Sequence, residues 1–290
     1  MVPAALLCTI ALFVMQTLSM KVQHADTLPR KLLVNCAAAA LAALALGAGR
    51  LWSPDAFAVG PATFYCGIAF GVLFALTILF YNLAIDSGPL SYTAFYFSAS
   101  MLVPAAAGVL WFGETFRPAL AAAIVLFLAA FWCLKSAGAS RPAASRWPLL
   151  CALTFLCNGL CAVVQKFQQR AADGRQAPGL MLVGFCTAAL CYAAAFLALR
   201  SKNSGRQRPG LLLRRNLPAV LLLAAGSAGG NLLLTVLAGR VDASYLFPLV
   251  QGSIIVGVAL CSALLFREKL SPRGWLGIAL GVAAIVTIQL

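Results

Sequence analysis

Leu237–Leu290 reads LAGRVDASYLFPLVQGSIIVGVALCSALLFREKLSPRGWLGIALGVAAIVTIQL, two long apolar segments joined by a short charged turn, Arg267-Glu268-Lys269-Leu270-Ser271-Pro272. The same plan stands earlier, at Leu83–Leu134, as LAIDSGPLSYTAFYFSASMLVPAAAGVLWFGETFRPALAAAIVLFLAAFWCL. Laid on one another without gaps, Leu83 meets Leu237, Ala84 meets Ala238, and Leu110 meets Leu264. Phe112, Glu114 and Pro118 then meet Phe266, Glu268 and Pro272, and Ile124, Leu126, Ala129 and Ala130 meet Ile278, Leu280, Ala283 and Ala284. Matches of Ala and Leu are cheap in such a sequence. Phe-x-Glu followed by Pro at fixed spacing is not, so the chain is read as a tandem duplication.

Of the 290 residues 62% are hydrophobic and only 10% charged, and mean hydropathy is +0.95. A soluble domain is closer to half apolar and a quarter charged, so an integral membrane protein is expected. The formal net charge of +14 does not imply nucleic acid. The basic residues sit in short loops between apolar runs, where cations meet anionic lipid and set topology. All ten cysteines lie inside or at the ends of apolar runs. Cys157 and Cys161 share a helix face, but two thiols without further ligands make a poor zinc site. Cysteine is read as a small apolar filler, with no metal or cofactor.

Ten apolar runs, each near the roughly 20 residues that span a bilayer as helix, lie near 2–20, 31–49, 63–85, 90–112, 118–135, 147–165, 179–199, 217–236, 243–265 and 272–289. Helices are forced, because backbone amides in lipid need partners within their own segment and the period-2 pattern of a barrel is absent. The first run lacks a basic leader and a clear small-x-small cleavage site, so it is expected to be a span rather than a signal peptide. The seam at Ser136–Arg146 leaves five runs on either side. The early runs echo one another more weakly: Phe13, Leu18 and Val22-Gln23 match Phe155, Leu160 and Val164-Gln165. An odd number of spans per repeat inverts the second copy, an architecture of secondary transporters with a midplane site. The expected fold is therefore an all-α integral membrane protein of ten transmembrane helices in two inverted five-helix repeats, residues 1–136 and 147–290, joined by a linker over 137–146. Loops alternate in charge. The odd ones hold fifteen of the 21 basic residues and the even ones only Arg50, Arg117, Lys166, Arg170, Arg175 and Arg240, which places both termini outside the cytoplasm.

Two five-helix repeats, each closing with an apolar helix, an aromatic-x-Glu turn and a Gly/Ala-rich last helix, resemble the drug/metabolite transporter superfamily, specifically its EamA type. The resemblance spans the whole chain and is carried by Phe112-Gly113-Glu114 with Pro118 and by Phe266-Arg267-Glu268-Lys269-Leu270-Ser271-Pro272. The first repeat departs from the usual pattern with Thr115-Phe116 after its Glu. The resemblance implies the fold and secondary transport. It leaves the substrate open, since members carry amino acids, nucleobases, sugar conjugates, quaternary amines and drugs.

Glu114 and Glu268 are candidates for gating. The competing structural reading places them in the turns entering the fifth and tenth helices, near the positive pole of each helix dipole. The other acids, Asp26, Asp55, Asp86, Asp173 and Asp242, are in or near loops. Without a buried acid at the centre of any run, proton-coupled export of cations is disfavoured. Tyr92, Phe95 and Tyr96 lie at helical spacing and could surround a quaternary ammonium, each ring contributing about 0.5–2 kcal/mol; equally they could form a packing or interfacial stripe. Gln16, Asn35, Thr77, Asn158, Asn231, Gln251 and Ser253 interrupt apolar runs. Buried amides cost several kcal/mol unless bonded, so each serves either an interhelical bond or a polar cavity. Lys21 and Lys166 are read as snorkelling from helix ends, with anion steering as the alternative.

The expectation is a multi-pass protein of the cytoplasmic membrane, monomer or homodimer. It moves a small polar or zwitterionic metabolite, of amino-acid or nucleobase type, by alternating access. A choline-like quaternary-ammonium substrate is the alternative. An intramembrane enzyme would need a buried catalytic set that the sequence lacks, and a non-transporting scaffold would pair its central polar residues with each other.

Overall fold

A computed structural model describes residues 2–21, 23–87, 90–115, 118–134, 145–199, 209–265 and 272–288. Among them are α1 (Val2–Lys21), α2 (Leu28–Trp52), a one-turn 3-10 helix (Pro54–Phe57), α3 (Pro61–Ser87), α4 (Leu90–Ala99), α5 (Leu102–Leu110) and α6 (Pro118–Leu134). There follow α7 (Trp147–Ala171), α8 (Ala177–Leu199), α9 (Pro209–Arg215), α10 (Leu217–Ala238), α11 (Ala243–Leu265) and α12 (Pro272–Thr287), with no strand among the described residues. Ten of these helices, the 3-10 helix included, carry proline as first or second residue. There its fixed φ suits the helix and its missing N–H would have been an orphan anyway, so proline both starts the helices and ends the loops.

Six helices (α1, α2, α3, α7, α8 and α10) are long and apolar enough to cross a membrane, and shorter apolar helices cover Tyr96–Leu110, Pro118–Ala130, Ala243–Val258 and Pro272–Thr287. The chain is a multi-pass, all-α membrane protein. Two expectations need correction. The run over 90–112 is not one helix, because it breaks between α4 and α5. Pro104 has no N–H, and its ring crowds the carbonyl four residues back, that of Ser100. Tighter bonds close the turn instead: Ser100 N–H to Phe97 O and Met101 N–H to Ser98 O at 3.4 Å, and Val103 N–H to Ser100 O at 3.0 Å. The sixth run, in turn, does not stop at 165: α7 runs on to Ala171, because its last turns bury glutamines that find partners.

Packing divides the chain into two units that each draw on both halves of the sequence. The first comprises Met1–Leu79 and Val164–Gly239. Within it α1 lies along α10 and α2 along α8, with α10 also touching α2. The α1–α10 approach depends on Gly226, where an added Cβ would sit 2.8 Å from both Gln16 Cβ and Leu12 O. Phe70, Phe74 and Phe185 fill the interior: Phe70 and Phe74 stack at 5.7 Å, and Phe185 stands edge-on to both. Such ring pairs contribute about 0.5–1.5 kcal/mol beyond burial.

The second unit comprises Phe80–Val163 and Arg240–Leu290. Here α6 lies along α12, and α11 packs on α5, α12 and α6. Met101, Phe127 and Ala284 form one core cluster, Phe127 resting on Gly252; Ala84, Leu150 and Cys151 form another, flanked by Phe80, Leu83 and Trp147.

Candidate functional site

In the first unit α1, α2, α3, α8 and α10 line a partly open cavity of about 20 Å³. Its polar lining is Gln16 on α1, Asn35 on α2 and Ser227 on α10; Phe74, Phe185 and Tyr192 are its aromatic lining, and among the described residues no charged side chain lines it. That volume takes about one water-sized group. Gln16 is 8% exposed, and its carbonyl oxygen, sealed from solvent, has no hydrogen-bond partner among the described residues. An unpaired buried acceptor costs about 1–3 kcal/mol.

Of the expected polar set, Gln16 and Asn35 meet here. Ser227 and Tyr192 join them unforeseen. Thr77, in the same unit, is buried but does not line the cavity: its hydroxyl donates to Leu73 O at 2.8 Å, within its own helix. Asn231 is also spoken for, its amide donating to Ser227 O at 2.9 Å and its Oδ1 accepting from Gln165 Nε2 at 3.3 Å. Gln165 also donates to Thr235 Oγ1 at 3.0 Å, and Thr235 donates to Asn231 O at 2.7 Å. Ser227, Asn231 and Thr235 recur every four residues on one face of α10, so they form a hydrogen-bonded polar stripe leading away from the cavity.

The end of α7 holds a second polar cluster that sequence reading passed over. Gln165, Gln168 and Gln169 are at most 1% exposed, and Lys166 is 6% exposed. Lys166 therefore does not snorkel from a helix end; it is buried inside α7. Gln168 donates to Thr63 Oγ1 at 2.9 Å and to Arg175 O at 3.1 Å, and Gln169 to Gln168 Oε1 at 2.6 Å. Thr63 and Gly60 N–H both donate to Gln176 Oε1, at 2.7 and 2.9 Å, so Gln176 caps the start of α3. These bonds hold the α7–α8 turn, in which Asp173 and Gln176 adopt positive φ of 48° and 62°, a conformation uncommon for residues other than glycine. The Oε1 of Gln169 has no hydrogen-bond partner among the described residues.

In the second unit Asn158 donates to Ser100 Oγ at 2.6 Å and to Phe97 O at 3.5 Å, bridging α7 to the α4–α5 break. Ser253 is buried and Gln251 half-buried on α11. Tyr96 is 37% exposed and stands edge-on to Trp147, ring centres 6.3 Å apart. The side chains of Tyr92 and Phe95 lie outside the described residues, as do Glu268 and the side chain of Lys21.

Glu114 is buried, and its carboxylate accepts from Ala243 N–H and Ser244 N–H, each at 2.8 Å. The expectation that it faces the helix next in sequence, α6, is thus corrected: it caps the N-terminus of α11. Two charge-assisted bonds and the helix dipole act together there. Gly113, at φ 65°, makes the turn that aims it, and Glu114 N–H reaches back to Gly108 O at 3.0 Å.

The chain matches no protein-family model. It matches no curated protein. Among solved structures it is similar to one described only as "Crystal structure of protein", 18% identical, covering 98% of this chain and 94% of that one with a TM-score of 0.75. At that identity the likeness establishes the fold and nothing about activity.

Proposed function

We propose that the protein is a secondary transporter of the drug/metabolite transporter superfamily, EamA type. On this reading it has ten spans in two inverted repeats and moves a small polar organic metabolite across the cytoplasmic membrane by alternating access. The observation that carries the reading is the partly open cavity in the first unit, where Gln16, Asn35 and Ser227 gather among apolar and aromatic side chains. A scaffold would pair its central polar groups, as Thr77, Asn158 and Asn231 are paired, and would have no reason to gather three polar side chains around a common space. Packing of repeat mates supports the inverted duplication: α2 lies on α8, α5 on α11 and α6 on α12, as a pseudo-twofold relation between the halves requires. The ten spans are the six long helices, α4 with α5 as one broken span, and α6, α11 and α12. An enzymatic role has no comparable support.

The quaternary-ammonium reading draws less support, because Tyr96 meets Trp147 edge-on and is partly exposed rather than closing a cage. Solute counterflow into proteoliposomes tests the proposal. Unlabelled amino acid, nucleobase or choline trapped inside should drive uptake of its labelled counterpart for at least one class, and Gln16→Met should reduce that uptake tenfold or more. Absence of counterflow for every class contradicts the transporter reading.

A further inference from the structure

The geometry points to an anionic phospholipid, bound through its headgroup at α9 on the first unit. This inference rests on the membrane fold alone and stands apart from the transporter reading. α9 is a seven-residue helix, too short to span a bilayer, that packs on α2 and α10. Asn216, 1% exposed, fastens its C-terminal end. The Oδ1 of Asn216 accepts from His24 N–H at 2.8 Å, and its Nδ2 donates to His24 O at 3.3 Å and to Leu212 O at 2.9 Å. The helix is therefore held against the α1–α2 connection, and its outer face is fixed in place. That face holds Leu211, 69% exposed, and the exposed Arg214 and Arg215.

Helix geometry makes these three residues one group. One turn beyond Leu211, Arg214 falls about 60° to one side of it and Arg215 about 40° to the other. Side chains on a helix lean toward its N-terminus, so both arginine stems lean toward Leu211. Neither arginine has an ion-pair partner among the described residues; Asp26, the one acid of the α1–α2 connection, pairs with Arg30 at 3.5 Å. Arg200, Lys202, Arg206 and Arg208 precede α9 in sequence, with no acid between Leu199 and Asn216. The local charge is thus of one sign and attracts anionic lipid. Beyond α9, Leu217, Leu221 and Leu222 of α10 are also exposed. A ligand for this face needs an anion for two guanidinium groups and an apolar chain for the leucines. A phospholipid of net negative charge has both. Its phosphate takes the bidentate bonds that arginine makes well, and its acyl chain covers the leucines. A soluble anion would leave the leucines bare.

Native mass spectrometry of the full-length chain in neutral detergent tests the assignment. The probes are dioleoylphosphatidylglycerol, dioleoylphosphatidylcholine, glycerol 3-phosphate and poly-glutamate. Phosphatidylglycerol is expected to be retained and phosphatidylcholine released. Arg214→Gln with Arg215→Gln should weaken phosphatidylglycerol about thirtyfold, roughly a factor of five for each arginine at an anionic surface. Leu211→Gln, which leaves the charge unchanged, should weaken it severalfold. All three side chains are exposed, so the ligand-free Tm should stay where it is. Arg50→Gln with Arg240→Gln removes the same charge from two other exposed positions and should leave retention unchanged. Equal weakening by that second pair, or phosphatidylcholine retained as strongly as phosphatidylglycerol, overturns a site at α9. Glycerol 3-phosphate bound as tightly as the lipid, and indifferent to Leu211→Gln, would assign the arginines to a soluble anion. Tighter binding of poly-glutamate would assign them to an acidic protein. Either result overturns the lipid.

Discussion

At the scale of single residues, two side chains of similar length have opposite roles. Glu114 is fully employed. Its replacement by alanine removes two charge-assisted bonds from the start of α11, an expected loss of about 3 kcal/mol; glutamine, which keeps one acceptor but no charge, should cost about 1 kcal/mol. Thermal unfolding of the two variants beside wild type checks the order, which reverses if the carboxylate is idle. Gln16 is the opposite case. Methionine there removes an unpaired buried acceptor at nearly constant volume, so stability should hold or rise by up to about 1 kcal/mol while uptake falls. The sequence exposed both residues as polar interruptions or turn signals, yet not their partners. Glu114 finds its donors 129 and 130 residues away, and Thr77 is bonded by its own helix, a difference that no spacing rule reveals.

At the scale of elements, hydropathy located nearly every helix because a lipid-facing segment needs about 20 apolar residues and internal backbone bonds. It missed what depends on local stereochemistry. Pro104 stood in plain view in the fourth run, and its lost donor is the reason α4 and α5 are separate. Pro104→Ala should restore the donor to Ser100 O, and amide hydrogen exchange over Ser100–Val103 should slow; unchanged exchange would assign the break to packing instead. The end of α7 was illegible for another reason: the sixth apolar run ends at Gln165, with Lys166 read as its snorkelling end, whereas hydrogen bonds of Gln165 to α10 and of Gln168 and Gln169 to Thr63 and the α7–α8 turn make the following residues interior. The α1–α10 seam gives a third prediction. Gly226→Ala places a methyl against Leu12 O and Gln16 Cβ, neither of which can swing aside, so a loss of about 1–3 kcal/mol in thermal or denaturant unfolding is expected.

At the scale of the whole molecule, the proposed duplication, read from Phe-x-Glu and Pro, would account for the packing within each unit. The helices it pairs as repeat mates lie on one another, α2 with α8 in one unit and α6 with α12 in the other. Under that proposal the pairing of α1 with α10 in the first unit would have its counterpart in the second, where Phe80, Leu83 and Ala84 of α3 cluster with Trp147, Leu150 and Cys151 of α7. Each compact unit draws on both halves of the chain, and no composition statistic would have drawn their borders through α3 and α7. The central claim, that the cavity beside Gln16 opens alternately to the two sides of the membrane, is tested most directly by thiol accessibility. Asn35→Cys would be placed in a chain whose ten native cysteines are replaced, and a membrane-impermeant maleimide applied to right-side-out and to inside-out vesicles. Alternating access predicts labelling from both sides, slowed by a bound solute. Labelling from one side only, or from neither, would contradict it.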